Sequence, residues 1–370
     1  MPSLFRDAYR GRSVLVTGDT GFKGAWLCEW LLALGARVSG YSLPPPTEPS
    51  LFAQSGLEAR IRHVTGDVRD MDLLEKTVGD CRPDFVFHLA AQSLVRPSYD
   101  DPVGTFEVNV LGTARVLEAV RRLDHPCSVV AVTTDKCYEN REWLQSYRED
   151  DPLGGYDPYS ASKGAAELVI ASYRRSFFQG GGRVRLASAR SGNVIGGGDW
   201  ARDRIVPDCI RHLSAGIPAH IRNPASTRPW QHVLEPLAGY LWLGACLEDP
   251  GRAGRGGGQF AEAFNFGPGA SGSRTVRSLA DEVIKHWPGS WTNGLAGPVP
   301  HEASLLNLAI DKAWHALGWR PVWSFEECVR ATVGMYREIA SDPAQAGPAM
   351  RRQIEAYAGD ALCAGLAWIP

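Results

Sequence analysis

The feature that most constrains this chain is a glycine-punctuated turn set between a short apolar run and a helical pattern. Ser13–Val16 is a run of the kind that forms a strand buried on both faces, and Thr17-Gly18-Asp19-Thr20-Gly21-Phe22-Lys23-Gly24 follows it directly. Phe22–Leu34 then shows Leu27, Leu31 and Leu34 at helical spacing, with Gly35 as a stop. A strand that feeds a helix through such a turn belongs in a parallel sheet. Further apolar runs at Arg37–Tyr41, Arg62–Gly66, Phe85–Leu89, Ser128–Thr133, Arg183–Ala189 and Ala263–Phe266 alternate with helical segments, so an α/β, doubly wound, mostly parallel Rossmann sheet is expected.

After Ser191 glycine and tryptophan become frequent and the loops lengthen. Residues 1–190 are therefore expected to form a dinucleotide-binding part. Residues 191–370 should form mainly a smaller substrate lobe over the carboxyl edge of the sheet, with about 230–267 returning to the first part. Gly254–Gly258 reads as a loop or linker, and Thr275–His286 and Ser324–Ile339 read as helices.

Composition narrows the classes. With 370 residues, 44% of them hydrophobic, the chain can bury a large core. A formal charge of -2 offers no field for nucleic acid or an anionic membrane surface. No run of about 18 apolar residues occurs, and Met1–Arg12 lacks a signal-peptide core, so a cytoplasmic enzyme is expected. The eight cysteines include no Cys-x-x-Cys pair; several lie in apolar helical patterns, so buried thiols are expected rather than disulfides or a metal site.

In the first turn Gly18 permits a sharp reversal, Gly21 lets backbone N–H groups approach a pyrophosphate, and Gly24 lets the helix pack closely. Thr20 and Phe22 line the same turn. Asp67 and Val68 end one strand and Leu89-Ala90-Ala91 the next, where small residues leave room for a ligand against the backbone. Asp67 could equally cap a helix. The second strand ends Gly40-Tyr41-Ser42-Leu43-Pro44, with neither a carboxylate for a ribose hydroxyl nor an arginine for a 2′-phosphate, so NAD and NADP both stay open on residues alone.

Tyr159-Ser160-Ala161-Ser162-Lys163 sets a phenol and an ammonium four residues apart on one helix face. A phenol with an ordinary pKa of about 10 becomes a useful base only beside a cation. With the glycine turn, the Tyr-x-x-x-Lys pair resembles the extended short-chain dehydrogenase/reductases. That resemblance implies NAD, a hydroxyl from Thr133 or Thr134 (Thr134 being favoured), and a homo-oligomer, dimer or tetramer, built on Phe106–Leu123 and Tyr159–Phe178. Val110, Ala114, Leu117 and Val120 mark one apolar stripe there.

Within this superfamily, Asp135-Lys136 after the fifth strand resembles the acid and base that 4,6-dehydratases add to the epimerase set. Gly21–Gly24, Pro44–Pro49, Ser191–Trp200 and Arg228–Val233 are similar to the CDP-glucose 4,6-dehydratase family, over a stretch from about Phe5 through Trp323. The resemblance implies a lyase that converts CDP-glucose to its 4-keto-6-deoxy form for deoxysugar biosynthesis. Tyr159 would take the 4-hydroxyl proton and Asp135 would protonate the departing 6-hydroxyl. Lys136 would remove the C5 proton, or else stay charged and steer the enolate. Asn193, Arg204 and Arg228 suit a diphosphate, and Ser93 and His232 suit the substrate wall. A UDP- or dTDP-sugar dehydratase, a 4-epimerase and a non-catalytic dinucleotide-binding regulator are the alternatives.

Overall fold

The computed structural model describes residues 3–179, 182–253, 260–269, 272–294 and 305–369; the glycine run Gly254–Gly258 lies outside them. Seven parallel strands form the central sheet: β1 (Ser13–Thr17), β2 (Arg37–Ser42), β3 (Arg62–Thr65), β4 (Phe85–His88), β5 (Cys127–Val132), β6 (Val184–Arg190) and β7 (Ala263–Asn265). Their spatial order is β7-β6-β5-β4-β1-β2-β3. Each expected strand is present within a residue or two of its expected bounds. The inner strands β1, β4 and β5 are short and mostly apolar because both faces are covered, whereas the edge strand β3 is mostly polar and only partly buried.

Alternation along the strands separates two cores. Val14 and Val16 of β1, Phe85 and Phe87 of β4, and Val130 and Val132 of β5 enter one cluster. Leu15, Val86, Val129 and Ala131 enter the other. Helices α1 (Phe22–Ala33), α6 (Leu234–Glu248) and α9 (Ala346–Cys363) cover the first face. Helices α2 (Met71–Cys81), α3 (Gly112–Arg121) and α4 (Pro158–Phe177) cover the second. The regular leucine spacing of α1 understates its burial. Trp26, Cys28 and Trp30 are also fully enclosed, because α9 lies across its outer side with Tyr357 edge-on to Trp30. The one acid on α1, Glu29, is buried and receives Arg60 and Arg351.

A third core lies beyond the sheet. Helices α5 (Ile205–Ser214), α7 (Val276–His286) and α8 (Phe325–Ser341) meet there around Ile210, Leu213, Val283, Val329 and Tyr336. Ser324 and Glu327 start α8 with reciprocal side-chain-to-backbone hydrogen bonds, as a capping box does. All eight cysteines are free thiols and six are buried. No helix among the described residues is long and apolar enough to cross a membrane.

Candidate active site

The strand order reverses direction between β1 and β4, so the loops after these two strands part and leave a crevice at the carboxyl edge. Gly18 follows β1 with φ +80, and a Cβ there would stand 2.7 Å from the Ala90 nitrogen beyond β4. Gly24 is closer still, since its Cβ would meet the Gly18 carbonyl oxygen at 2.0 Å. The third glycine thus permits contact between the helix and its own entry loop, a nearer partner than the sheet. No side chain caps the start of α1, so its first N–H groups face the crevice. This backbone cradle, walled by Leu89, Ala90 and Ala91, fits a dinucleotide pyrophosphate.

The crevice opens into a cavity of about 800 Å³. Gly18, Thr20, Gly21, Phe22, Gly24, Asp67, Val68, Ser93, Thr134, Asp135, Lys136, Tyr159, Lys163, Asn193, Arg204 and Arg228, expected from sequence to serve a site, all line it. His232 does not. Its ring is wholly enclosed between the indoles of Trp26 and Trp323, and burial holds it neutral, down to about 3. It is a core residue, and its expected place on the substrate wall is corrected accordingly. Asp67 is not a helix cap either. Asp70 caps α2 by accepting from the Leu73 N–H at 3.0 Å, while Asp67 at the cavity wall holds Arg69 at 2.6 Å.

The reacting groups are set by three elements. Helix α4 begins at Asp157, whose carboxylate accepts from the Ser160 N–H, with Pro158 in the first turn. Tyr159 and Lys163 are therefore fixed within its first two turns, both nearly buried. Burial pushes the Tyr159 phenol up to about 12, opposed by a hydrogen bond with Thr134. Burial also pulls the Lys163 amine down to about 8, opposed by Glu167 one turn below it.

At the end of β5, Thr133 and Thr134 divide their work. The Thr133 hydroxyl donates to the buried Glu167, itself ion-paired with Arg190 at 2.9 Å. Only Thr134 is left to face Tyr159. Its hydroxyl donates to Asp135 at 2.9 Å, and Asn193 donates to the other carboxylate oxygen at 3.1 Å. Phenol, hydroxyl and carboxylate thus form a short line along the cavity floor, and Lys136 follows on the same 3-10 turn. Asn193, read from sequence as a diphosphate partner, lines the cavity and is bonded to Asp135.

Arg204 has two roles at once. It pairs with Asp199 at 2.7 Å, which holds its charge firmly, and it still lines the cavity. Farther out, Arg96 and Arg222 share one oxygen of Asp203 at 3.0 and 2.9 Å. Sequence reasoning missed these cavity residues, and it missed Lys23, Ser191 and Tyr240. It also missed Asp19 of the glycine turn, which lies buried beneath Ser42, accepting from its hydroxyl at 2.8 Å and pairing with His63 at 2.7 Å. The signal that could have found it is the glycine at position 40, where a side chain would collide with that carboxylate.

The comparisons agree with this geometry. A family model described as GDP-mannose 4,6 dehydratase matches residues 15–238. A CDP-glucose 4,6-dehydratase of Salmonella typhimurium is 45% identical over 339 residues, covering 90% of this chain and 92% of the relative. A dTDP-glucose 4,6-dehydratase from Streptomyces venezuelae, solved with NAD and TYD bound, superposes with a TM-score of 0.72 at 27% identity over 90% of this chain and 99% of its own. The UDP-glucose 4-epimerase of Thermus thermophilus in complex with NAD gives 0.73 at 26% identity over 88% and 98%. Taken with the Tyr159/Lys163 pair and the Asp135-Lys136 turn facing one cavity, these findings show that the chain belongs to the nucleotide-sugar 4,6-dehydratases of the extended short-chain dehydrogenase/reductase superfamily, in the CDP-glucose 4,6-dehydratase family.

Proposed function

We propose that this chain dehydrates CDP-D-glucose to CDP-4-keto-6-deoxy-D-glucose with a retained NAD. The observation that carries the reading is the Asp135-Lys136 turn joined through Thr134 to Tyr159, an arrangement with more acid–base groups than a 4-epimerase needs. The Gly18–Gly24 loop, Asp67, Val68, Leu89–Ala91, Tyr159 and Lys163 would hold the dinucleotide. Bound there, it would supply the hydride acceptor for C4 and the hydride source for C6. NAD suits the adenosine end better than NADP, because the cavity wall at Ser42, Leu43 and Pro44 offers no guanidinium for a 2′-phosphate.

Tyr159 takes the proton of the sugar 4-hydroxyl, with the Lys163 charge stabilising the phenolate and the Thr134 hydroxyl turning from Asp135 to donate to it. The 4-ketone acidifies C5, and Lys136 removes that proton, exchanges it with solvent, and protonates C5 after the hydroxyl has gone. Asp135 gives a proton to the departing 6-hydroxyl, which leaves as water. The reaction as a whole moves one proton from O4 to O6, and the line from Tyr159 through Thr134 to Asp135 is a path for it. Arg204 and Arg228 take the diphosphate, and Ser93 lies along the sugar. Residues 1–190 serve the dinucleotide, and residues 191–370 mainly serve the sugar nucleotide, with about 230–267 supporting the sheet.

We further propose a cytoplasmic homo-oligomer, a dimer or tetramer. The stripe Val110, Ala114, Leu117 and Val120 does not carry this, because Leu117 and Val120 are fully buried in the protein's own core. The outward apolar residues are Val103, Phe106 and Leu111 before α3 and Leu168 and Phe177 on α4, exposed by 39 to 68%. Sedimentation at micromolar concentration should show a species at least twice 40.3 kDa, and a purely monomeric protein would contradict this. Incubation with CDP-, UDP- and dTDP-glucose tests the function, read as 4-keto sugar by nuclear magnetic resonance. CDP-glucose should be consumed fastest. Epimerised product, or binding without turnover, would support a 4-epimerase or a regulator.

A further inference from the structure

Lys23 is the second residue of α1 and lines the cavity, yet none of the steps above uses it. A lysine in the first turn of a helix faces the positive end of the helix dipole, an unfavourable place for an ammonium. Its Nζ donates to the Ser191 hydroxyl at 3.2 Å and to the Tyr240 hydroxyl at 3.5 Å, and it lies 5.7 Å from the Tyr240 ring centre. Ser191 and Tyr240 hydrogen-bond to each other. The ionisable groups acting on it are Arg204 and Lys163, which oppose its charge, and Asp135, which favours it. Lys23 therefore belongs to the reacting end of the cavity, one residue from the pyrophosphate cradle and within the electrostatic reach of the Tyr159/Lys163 helix.

We propose that Lys23 senses the charge of the nicotinamide ring, giving up its proton when the oxidised, cationic ring is bound and carrying it when the ring is reduced and neutral. The inference rests on the cavity holding a nicotinamide dinucleotide. One proton passes between the amine and solvent water, and no bond to carbon forms or breaks in the exchange. Ser191 and Tyr240 make both states tolerable. Each hydroxyl can accept from an ammonium, and each can turn to donate to a neutral amine. Burial, then Arg204, pulls the amine down to about 7, so both states are within reach near neutral pH. A cation fixed at this point would repel the oxidised ring throughout the cycle. A group that never charged would give the reduced form no added hold while its hydride waits to return. Lys23 is in this sense a positioning residue that acts through the cofactor's charge.

The test is binding of NAD by calorimetry and of NADH by its fluorescence, across the neutral range, for the wild-type protein, Lys23→Met and Lys23→Arg. For a single linked proton, wild-type affinity for NAD should rise about threefold to tenfold from about pH 6 to about pH 8, with NADH flat or opposite. Lys163 also titrates near this range, so the informative quantity is the ratio of the two affinities in each variant. In Lys23→Met the NAD-to-NADH ratio should lose most of its pH dependence. In Lys23→Arg, which stays charged, the ratio should favour NADH at every pH. Equal pH dependence of the ratio in all three proteins would overturn the proposal and leave the dinucleotide reading intact. Failure of the wild-type protein to bind either dinucleotide would overturn both.

Discussion

The two ends of the cavity are built on opposite terms. At the reacting end, Thr134, Asp135, Tyr159 and Lys163 are each less than a tenth exposed, and Asp135 is held by Thr134 and Asn193. At the outer end, Arg96, Arg222 and Asp203 are 38 to 48% exposed and share a single ion-pair cluster. Burial at the first end moves the phenol up and the amine down, which puts proton transfer under the control of neighbours a few ångströms away. Water screens the second end, where ion pairs between exposed groups are weak. The difference teaches that burial sets the two ends apart; if the proposed function holds, mutations at the two ends should differ in kind as well as in size.

The contrast breaks most visibly at Tyr159. Tyr159→Phe removes the base while keeping the ring, and turnover should fall by about 10²–10⁴ with nucleotide binding nearly unchanged. A near wild-type rate would make Tyr159 a packing residue and leave the inner end without its base. Gly18→Ala comes next. It forces a side chain at φ +80 against the Ala90 backbone, so dinucleotide affinity should drop by at least about tenfold in a titration, alongside some loss of stability. Arg228→Lys should mainly raise KM, by about fivefold to fiftyfold, because an ammonium cannot match a guanidinium's paired hydrogen bonds to a diphosphate. Arg96→Ala should do least, changing KM by about twofold or less and only at low salt. A loss at Arg96 as large as that at Tyr159 would dissolve the distinction between the ends.

Much of the inner end was legible because it rests on local pattern. The strand that delivers Thr134, the turn that bears Gly18 and the four-residue spacing of Tyr159 and Lys163 each need only neighbours in sequence. The sheet was legible for the same reason, since fully buried parallel strands leave short apolar runs. What escaped depends on contacts between distant segments. Lys23 meets Ser191 and Tyr240 across 168 and 217 positions, Asn193 meets Asp135 across 58, and Trp323 closes over His232 from another part of the chain. The stripe on α3 misled because a helix inside an α/β layer carries apolar residues on two sides, and periodicity does not say which side faces its own sheet. Asp19 escaped for the same reason: it meets Ser42 and His63 across 23 and 44 positions.

The central claim is that Tyr159 begins an oxidation which Asp135 and Lys136 convert into dehydration. The most direct measurement mixes Asp135→Asn or Lys136→Met with NAD and CDP-glucose and follows the absorbance of reduced nicotinamide, with solvent deuterium present to label C5. Both variants should build up reduced cofactor, or reach a partial-oxidation equilibrium, while wild-type protein shows little because the hydride returns at C6. Deuterium should enter C5 in the wild-type product, and Lys136→Met should not introduce it. Release of labelled 4-keto-6-deoxy product by both variants at the wild-type rate would contradict the account, for the pair would then have no part in removing water.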